Sequence, residues 1–561
     1  MIGLVAATEN GRRRARHLAR AWPDARLYGG RPGEAVRRAW GECGGLVLFM
    51  ATGAAVRLVA PLLSDKRRDP GVVCVDDAGR HAVSLCGGHG GGANALARRV
   101  AGALGAGPVI TTASEALGVP ALDSLGAELG FRIEEGSDLA AVGAALVGGE
   151  TVRLVSERRW PLGPLPENVV RSGEPEPPLI LISDRAADPP RPAVVYRPPS
   201  LVAGVGCSRG AGAEEILGLL RSALQGARLS PKSLCALASV EAKRGERGLL
   251  EAAESLGVPL RLFPAQRLAR QPAPNPSRAV ERAVGTPSVA EAAVLACGAT
   301  LLVEKRRSKN ATVAVGRLPV RGRLYIVGLG PGDEGLLPPL ARRALSRAEL
   351  VVGLERYVGR IRHLLRPGTR VATPPLGEEV ERARLALEEA RAGGSAALVS
   401  GGDAGVYGMA SPALELAGEE VEVEVVPGIT AAQAASALLG APLGHDHCAL
   451  SLSDLLTPWE VIERRLRAVA EADLVVSLYN PRSGGRGWQL ERARRILLER
   501  RPPETPVGVV RNAFREGQRV ALTSLGSLRT GEADMNTIVV VGSSRTRVRA
   551  GRMVTPRGYA G

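Results

Sequence analysis

Short apolar runs alternate with longer segments of helical periodicity along most of the chain, and this alternation predicts its fold class. Patterns typical of buried strands occur at residues 2–7, 45–50 and 201–206, and helical patterns occur at 93–103 and 213–224. Strands that alternate with helices of this length usually form a parallel sheet covered by the helices. The sequence therefore predicts an α/β protein.

The same pattern divides the chain into regions. Two α/β modules join near residues 317–323, and the stretch at 128–200 has a weaker pattern with many prolines, which indicates a small α/β or linker-like unit. In the last module, strand patterns occur at residues 324–327, 396–400, 421–426, 473–479, 507–511 and 537–542. We expect four regions, at residues 1–127, 128–200, 201–317 and 322–561.

Composition limits the class of protein. The 561 residues are 45% hydrophobic and 23% charged, which is typical of a globular chain of about three to five domains. No run of about 18 apolar residues occurs, so no membrane span is expected. An apolar stretch precedes the first basic one, the reverse of a secretory signal, and we therefore expect a cytoplasmic protein. The seven cysteines form no Cys-x-x-Cys pair, which predicts reduced thiols and no zinc site.

The charge balance narrows the range of partners. The formal net charge of +16 suits nucleic acid, a membrane surface or a small substrate rich in carboxylates. Aromatic residues make up only 3% of the chain, which argues against single-stranded nucleic acid because base stacking needs them. The basic residues are 68 arginines and 5 lysines, so a compositional bias of the genome is an alternative source of the charge.

Two glycine-rich loops in the last region follow strand patterns. The first, GLGPGD at 328–333, departs from a dinucleotide fingerprint because an aspartate replaces the third glycine and a proline removes a backbone donor. The second, at 400–409, has a bare main chain against which a flat ligand could lie. Its Asp403 could engage a cation, an amine or a ribose hydroxyl. A purely structural glycine turn is the alternative for either loop.

Five motifs in a fixed order carry a resemblance to a known family. They are GLGPGD at 328–333, SGGDAGVYGMA at 400–410, VPGITA at 426–431, LYNP at 478–481 and MNT at 535–537. Together they resemble the tetrapyrrole methylases, which use S-adenosyl-L-methionine on a two-subdomain α/β fold, the class III methyltransferase fold. The passages PLGHDH at 442–447 and SLSDLLTPW at 451–459 are similar to those of the precorrin-3B or cobalt-factor III C17-methyltransferases of cobalamin biosynthesis.

This resemblance implies a cofactor site and leaves the base of the reaction open. By the family pattern, the S-adenosyl-L-methionine pocket is lined by Pro331, Gly401, Gly402, Asp403, Val406, Thr430, Ala431, Asn480 and Ala513. Related uroporphyrinogen methylases carry an aspartate after the second strand, but residues 350–354 include no acid. His445, Asp446 and His447 are our candidates for proton transfer, with a solvated loop as the alternative. These histidines have no third ligand in sequence range, so no metal site is expected.

The first 317 residues resemble a second family, the cobalt-precorrin-5A hydrolases, although residues 128–200 carry little of its pattern. The resemblance rests on ATGAAVR at 51–57, APLLSDK at 60–66, the stretch at 84–99, GVGCSRG at 204–210 and SVEAKRGE at 239–246. It implies an N-terminal α/β hydrolase half of several subdomains. That half is expected to open a ring-A δ-lactone with water and to release acetaldehyde.

Candidate residues for lactone opening follow from the chemistry, because attack of water on an acyl carbon needs a base and donors to the oxyanion. The glycine-rich turn at 87–92 precedes a helix and can supply backbone N–H groups. His89 within it is a candidate base, and a capped tight turn is the alternative. Lysine is scarce, and an amine can lose its proton or react with a carbonyl, whereas guanidinium cannot. We therefore hypothesise that Lys66 or Lys243 acts chemically, with chance retention as the alternative.

Both resemblances together predict a fusion of two cobalamin-biosynthesis enzymes. The expected substrate is a cobalt-containing tetrapyrrole rich in carboxylates, which suits an arginine-rich cleft because guanidinium binds carboxylate bidentately. Neither nucleic acid nor a membrane is an expected partner, and the methylase resemblance implies a homodimer through that half. One alternative is a methylase for another corrin carbon or for ribosomal RNA, with a non-catalytic N-terminal half. The other is a basic nucleic-acid-binding scaffold.

Overall fold

The chain folds into two compact units. The first comprises Met1–Glu157 and Leu165–Pro319, and the second comprises Arg158–Pro164 and Val320–Gly561. The computed structural model describes residues 1–65, 68–88, 91–111, 121–482 and 487–559. Two of the residues proposed from the sequence, Lys66 and His89, therefore lie outside the described residues.

The first unit begins with a six-stranded sheet of order β2-β1-β3-β4-β5-β6. Its strands are β1 (Ile2–Ala6), β2 (Ala25–Tyr28), β3 (Gly45–Phe49), β4 (Gly71–Val75), β5 (His81–Cys86) and β6 (Gly107–Val109). The helices of this region are α1 (Glu9–Ala21), α2 (Pro32–Glu42), α3 (Thr52–Val59) and α4 (Ala93–Leu104). Strands β1, β3 and β4 are parallel and buried at every position, which explains their uninterrupted apolar runs. The strands predicted at 2–7 and 45–50 and the helix predicted at 93–103 are confirmed.

A second sheet lies in the proline-rich stretch whose sequence pattern is weak. Its order is β7-β11-β10-β8-β9. The elements are β7 (Arg132–Ile133), α5 (Leu139–Val147), β8 (Val152–Ser156), β9 (Val169–Arg171), β10 (Leu179–Ile182) and β11 (Ala193–Arg197). Strands β10 and β11 are parallel and fully buried. This stretch is thus a small α/β region with its own sheet.

A third sheet, of order β14-β13-β12-β16-β15, completes the first unit. Its strands are β12 (Leu201–Cys207), β13 (Leu234–Val240), β14 (Leu260–Phe263), β15 (Thr300–Arg307) and β16 (Ala311–Arg317). Its helices are α6 (Ala213–Gly226), α7 (Arg247–Leu256), α8 (Ala265–Ala269), α9 (Arg278–Val284) and α10 (Ala290–Ala296). Strand β12 is parallel to β13 and antiparallel to β16, so the turn between β15 and β16 lies beside the carboxyl end of β12. The predicted strand at 201–206 and helix at 213–224 are confirmed.

The second unit contains a parallel sheet of order β19-β18-β20-β17-β21. Its strands are β17 (Gly322–Gly328), β18 (Leu350–Gly353), β19 (Arg370–Ala372), β20 (Ser395–Ser400) and β21 (Val421–Val426). Its helices are α11 (Pro339–Arg347), α12 (Glu355–Ile361), α13 (Glu379–Arg391) and α14 (Ala410–Leu416). Alternate residues of β20 join separate cores, Ala396 and Leu398 in one and Ala397 and Val399 in the other. Both faces of the strand are therefore buried.

A mixed sheet of order β23-β24-β27-β25-β26 and a small sheet of order β22-β29-β28 form the rest of this unit. The strands are β22 (Gly440–Ala441), β23 (His447–Ser451), β24 (Val475–Tyr479), β25 (Pro506–Arg511), β26 (Arg519–Ser524), β27 (Thr537–Val541), β28 (Arg547–Arg549) and β29 (Arg552–Val554). The helices are α15 (Ala431–Leu439), α16 (Trp459–Glu471) and α17 (Gln489–Leu498). Helix α15 follows the parallel sheet and packs Ala435 and Leu439 with Val510 and Val540 of the mixed sheet. The unit therefore has the two subdomains that the sequence predicts.

The short segment Arg158–Pro164 belongs to the second unit although it lies far from it in sequence. The Arg159 guanidinium pairs with two buried carboxylates, Glu349 at 2.6 Å and Glu389. Gly393 lets the segment approach, because a Cβ there would lie 2.5 Å from the Arg159 carbonyl oxygen. The ion pairs offset the cost of burying the two acids.

Candidate functional site

Three loops of the second unit meet at the carboxyl ends of β17, β20 and β21, and glycines let them approach closely. Gly330 and Gly402 exchange two backbone hydrogen bonds, of 2.9 and 2.7 Å. A Cβ on Gly428 would lie 2.1 Å from the Gly402 carbonyl oxygen, and a Cβ on Gly328 would lie 2.8 Å from the same atom. Side chains would fill the space between these loops, so the main chain itself is the surface that a ligand meets.

Asp403 holds two of these loops together through its carboxylate. One oxygen accepts a hydrogen bond of 2.8 Å from the Gly405 N–H, and the other accepts one of 2.9 Å from the Gly428 N–H. Asp403 is not among the residues that line the cleft described below. The carboxylate that the sequence offers to a cation, an amine or a ribose is thus engaged by the loops.

Tyr479, at the end of β24, fixes the start of α15. Its hydroxyl lies 2.6 Å from Thr430 Oγ1 and accepts a hydrogen bond of 3.0 Å from the Ala432 N–H. Burial raises the pKa of this phenol, although both hydrogen bonds oppose the shift. The ring of Tyr407 packs against it with the centroids 5.1 Å apart. These contacts hold Thr430 and Ala431 at the cleft.

Left-handed backbone shapes the other side of the cleft. Asn480, Asn512 and Phe514 have φ angles of 50°, 49° and 53° and follow the ends of β24 and β25. The Asn480 side chain donates a hydrogen bond of 3.0 Å to Ser451 Oγ. Residues other than glycine rarely adopt this conformation, and such strain clusters at ligand sites. These turns bring Asn480 and Ala513 into the cleft lining.

Three arginines give the cleft its charge. In α12, the guanidinium carbons of Arg356 and Arg360 lie 4.7 and 6.0 Å from the centre of the Tyr357 ring. Arg515 comes from the loop after β25 and passes Gly332, where a Cβ would lie 2.6 Å from Arg515 Cγ. Its Nε is buried and has no hydrogen-bond partner among the described residues. Burial lowers the pKa of Arg360 and of Arg515, yet a guanidinium stays charged.

These elements enclose a cleft of about 160 Å³. Its lining includes sequence-predicted cofactor residues, namely Pro331, Gly401, Gly402, Val406, Thr430, Ala431, Asn480 and Ala513. It has three arginines and, within the described part of the chain, no carboxylate. Tyr357, Arg360 and Arg515 were not predicted. The sequence feature that could have pointed to Arg515 is its position just after residues 511–513, which belong to the family pattern.

His445 and Asp446 lie in the bend that leads into β23, and His447 is the first residue of that strand. His445 Nδ1 is 3.3 Å from Asp446 Oδ2, and His447 Nδ1 is 3.0 Å from the His445 carbonyl oxygen. The Asp446 side chain is 81% exposed. None of the three lines the cleft. His445 is half-buried and the other two side chains are exposed, and their role in proton transfer stays a prediction.

In the first unit, the turn at 87–92 is described only in part. The Ala93 N–H donates to the Gly87 carbonyl and the Asn94 N–H to the Gly88 carbonyl, each at 3.0 Å. Two of the donors at the start of α4 are therefore already bonded. An oxyanion site at this turn would depend on other N–H groups.

Lys243 lies on the turn Glu241–Lys243 after β13 and lines a cavity of about 670 Å³ in the first unit. Its amine is 3.0 Å from Glu246 Oε1, and the two side chains are 16% and 15% exposed. The Gly210 N–H and the Lys243 ammonium hold the pKa of Glu246 below its usual value. The ion pair fixes the amine at the edge of the cavity.

Three chain-wide features complete the picture. All seven cysteines are unpaired in the structure. Across the described ranges, no group of three or more His, Cys, Asp and Glu side chains could hold a metal ion. In the same part of the chain, no helix has the length and apolar character needed to cross a bilayer.

Comparison with protein families finds four matches in succession. Residues 323–529 match the tetrapyrrole (corrin/porphyrin) methylases. Residues 34–115, 120–198 and 201–316 match, in turn, the cobalamin synthesis G N-terminal region, the cobalamin biosynthesis central region and the cobalamin synthesis G C-terminus. Both family resemblances seen in the sequence are confirmed.

A "Probable cobalt-factor III C(17)-methyltransferase" from Salmonella typhimurium is 47% identical over 242 residues, which cover 42% of this chain and 99% of that protein. The chain belongs to the tetrapyrrole methylase family. Its methylase half is also 44% identical over 247 residues to the cobalt-factor III methyltransferase of Priestia megaterium, and the match covers 43% of this chain. The chain spans about half the length of that relative, 46%. The protein in the crystal structure of the methyltransferase CobJ is 40% identical to this chain. The match covers 42% of this chain and 100% of that one, with a TM-score of 0.40.

Proposed function

We propose that the chain is a bifunctional enzyme of corrin biosynthesis. Its methylase half methylates C17 of cobalt-factor III or precorrin-3B with ring contraction, and its N-terminal half opens the ring-A lactone of cobalt-precorrin-5A and releases acetaldehyde. The observation that carries the proposal is the match to a C17-methyltransferase over 99% of its length. We also propose the four-region division at 1–127, 128–200, 201–317 and 322–561, a homodimer through the methylase half and a cytoplasmic location.

The cleft fits S-adenosyl-L-methionine by its construction. Glycine stands where the lining leaves no room for a side chain, since a Cβ on Gly401 would lie 2.6 Å from the Tyr357 ring. Val406, Ala431 and Ala513 add apolar surface. When bound, this cofactor supplies an electrophilic methyl group on a sulfonium. The residues that would hold it are Pro331, Gly401, Gly402, Asp403, Val406, Thr430, Ala431, Asn480 and Ala513, with Asp403 acting through its main chain.

The chain's own contribution to methylation is position. Asp403 ties the loop after β20 to the loop after β21, and Tyr479 ties the loop after β21 to the mixed sheet. A cleft held this rigidly keeps donor and acceptor aligned and excludes water. Alignment of this kind can lower a barrier by about 7–11 kcal/mol. We retain His445, Asp446 and His447 as a proposal for proton transfer, which requires that their bend approach bound substrate.

The three cleft arginines suit a methyl acceptor that carries carboxylates. Arg356, Arg360 and Arg515 line the cleft without a carboxylate among its described lining residues. The free Nε–H of Arg515 is a donor that a carboxylate would satisfy. Guanidinium binds carboxylate in a planar, bidentate geometry. We assign these arginines to the acetate and propionate groups of the tetrapyrrole.

For lactone opening we propose Lys243 or Lys66 as the chemically active amine and His89 as the base. Lys243 is the one of the three within the described residues. Its amine, held beside Glu246, can lose a proton or react with a carbonyl, which a guanidinium cannot do. Lys243→Arg and Lys66→Arg keep the charge and remove the amine. Full lactone opening in both variants would exclude this role.

The deciding experiment for the methylase half is direct. The purified chain is incubated with S-adenosyl-L-methionine and cobalt-factor III, and the product is weighed by mass spectrometry. We expect a gain of one methyl group. Methyl transfer to ribosomal RNA, with none to the corrin precursor, would establish the alternative instead. His445→Ala and His447→Ala variants in the same assay test the proton-transfer proposal.

A further inference from the structure

The lysine-containing cavity of the first unit lies where open α/β sheets bind ligands. It has a volume of about 670 Å³, and its lining includes Cys207 at the end of β12 and Lys243 just after β13. Strand β12 has a parallel neighbour, β13, on one side and an antiparallel neighbour, β16, on the other. Ligands of open α/β sheets bind outside the carboxyl ends of the strands. The position alone marks the cavity as a candidate site.

The charged lining of this cavity is entirely basic. Arg209, Lys243, Lys305, Arg307 and Lys309 line it, and no carboxylate does so among the described residues. Three of these five are lysines, although the whole chain has only 5 lysines among 73 basic residues. Chance retention at solvated positions does not explain why lysines gather around one cavity.

Nearby carboxylates hold the loops that carry these cations. Glu215 accepts a hydrogen bond of 2.7 Å from the Asn310 N–H in the turn between β15 and β16. Glu246 accepts one of 3.1 Å from a backbone N–H of the loop after β12. Glu291, which is fully buried, accepts one of 3.0 Å from the Lys305 N–H. The acids therefore stabilise the frame while the cations face the cavity.

Lys305 is partly buried in this frame. Its amine donates to the Asn275 carbonyl. Burial lowers the pKa of the amine, Glu291 opposes the shift and Arg307 adds to it. A partly buried cation with other cations in the same lining gains from an anion that enters the cavity.

Another part of the lining is apolar. Val280 and Val284 of α9 contribute to it, together with Pro287 and Val289 before α10. An apolar wall beside several cations suits a ligand whose flat apolar body carries carboxylates at its edge. A small inorganic anion would leave the apolar part uncovered.

We propose that this cavity binds a polycarboxylate with a flat apolar body. The identification of that ligand as the carboxylate-fringed macrocycle processed by the N-terminal half rests on the proposed function. Lys243, Lys305 and Lys309 bind its carboxylates, and the valines of α9 pack against its ring.

The test uses uroporphyrin, an octacarboxylate tetrapyrrole, titrated into the full chain and followed by its fluorescence. Two binding sites per chain are expected, one in each unit. Lys305→Ala combined with Lys309→Ala should weaken one of them by about tenfold or more, the scale expected for lost hydrogen bonds between charged groups. Arg306→Ala is the matched control, because Arg306 is exposed, adjacent and outside the lining. It should change neither site.

A second variant guards against misfolding. Lys309 is exposed, so Lys309→Glu should fold normally and weaken the same site. The inference is wrong if both lysine variants bind like the wild type, or if Arg515→Ala alone removes all binding. Methyl transfer to cobalt-factor III is assayed on the same samples. Its absence would contradict the proposed methylase activity and leave the binding result in the first unit unaffected.

Discussion

The cleft of the second unit and the lysine-containing cavity of the first present different cations to an acidic ligand. Both lie at the carboxyl ends of parallel strands, and the described lining of each contains no carboxylate. In the cleft, Arg356 and Arg360 lie over an aromatic ring. In the cavity, Lys243 is held by Glu246, and burial lowers the pKa of Lys305. A guanidinium is a permanent charge, whereas an amine can lose its proton, so the two sites should respond differently to pH and to substitution.

The largest expected effect concerns the main chain of the cleft, whose loops are in backbone contact with one another. We expect Gly428→Ala to weaken binding of S-adenosyl-L-methionine by up to about a hundredfold, since overpacking costs about 1–3 kcal/mol. The new Cβ would lie 2.1 Å from a backbone oxygen that cannot move aside cheaply. Titration calorimetry measures the change. Uroporphyrin binding in the cavity should be unaffected.

Gly359→Ala is the control for that substitution. Gly359 lies within α12, and a Cβ there would meet only Glu355 Oε1, at 3.6 Å. Alanine is favoured over glycine in a helix, so this variant should bind the cofactor normally. Equal losses in both variants would mean that loop contact is not what shapes the cleft.

Arg515→Ala tests the permanent charge of the cleft. It should raise the KM for cobalt-factor III by about tenfold to a hundredfold, because a hydrogen bond between charged groups contributes about 1.5–3 kcal/mol. The change in kcat should be smaller, because the proposed role of the guanidinium is to bind a carboxylate and not to touch the reacting carbon. Arg519→Ala, at an exposed position of β26, is the control. If it has the same effect, general charge rather than the cleft governs substrate binding.

Tyr479→Phe tests how the cleft is held. The change leaves the buried Ala432 N–H without its 3.0 Å acceptor, which should weaken cofactor binding by about tenfold. Tyr407→Phe removes a hydroxyl that donates to the Ala449 carbonyl at 3.2 Å from a side chain that is 56% exposed. The Tyr407→Phe variant should lose much less affinity for the cofactor. Equal affinities for the two variants would show that Tyr479 has no special role in holding the start of α15.

The smallest effect is a pH dependence confined to the cavity. Burial and Arg307 lower the pKa of Lys305, and Glu291 opposes this shift. The amine therefore loses its proton at a lower pH than an ordinary lysine, whose pKa is about 10.4. Raising the pH therefore removes a positive charge from the cavity, while Arg209 and Arg307 keep theirs. Uroporphyrin should bind the cavity several-fold more weakly at alkaline pH and the cleft almost unchanged. Lys243 and Lys309 also line the cavity, so Lys305→Arg should make the profile shallower without flattening it, and a profile that is equally steep in that variant would contradict the assignment.

Local sequence patterns predicted many of the strands and helices and the loops of the cleft. Contacts between residues far apart in the sequence could not be predicted from such patterns. Fully buried strands such as β20 have apolar runs that need no context. The bond from the Gly428 N–H to the Asp403 carboxylate joins residues 25 apart, so its effect on that side chain was invisible in the sequence. The same holds for the path of Arg515 beside Gly332. The strand β23 begins at His447, so the predicted proton-transfer residues lie at the boundary between a bend and a strand, which local patterns define poorly.

The placement of Arg159 makes the two halves hard to divide. A cut near residue 320 would leave this arginine on the polypeptide that does not contain Glu349 and Glu389. Glu389 would keep Arg370, but Glu349 would lose a partner at 2.6 Å. A chain cut at that point should therefore have a less stable second unit, because the buried Glu349 carboxylate would lose this cation.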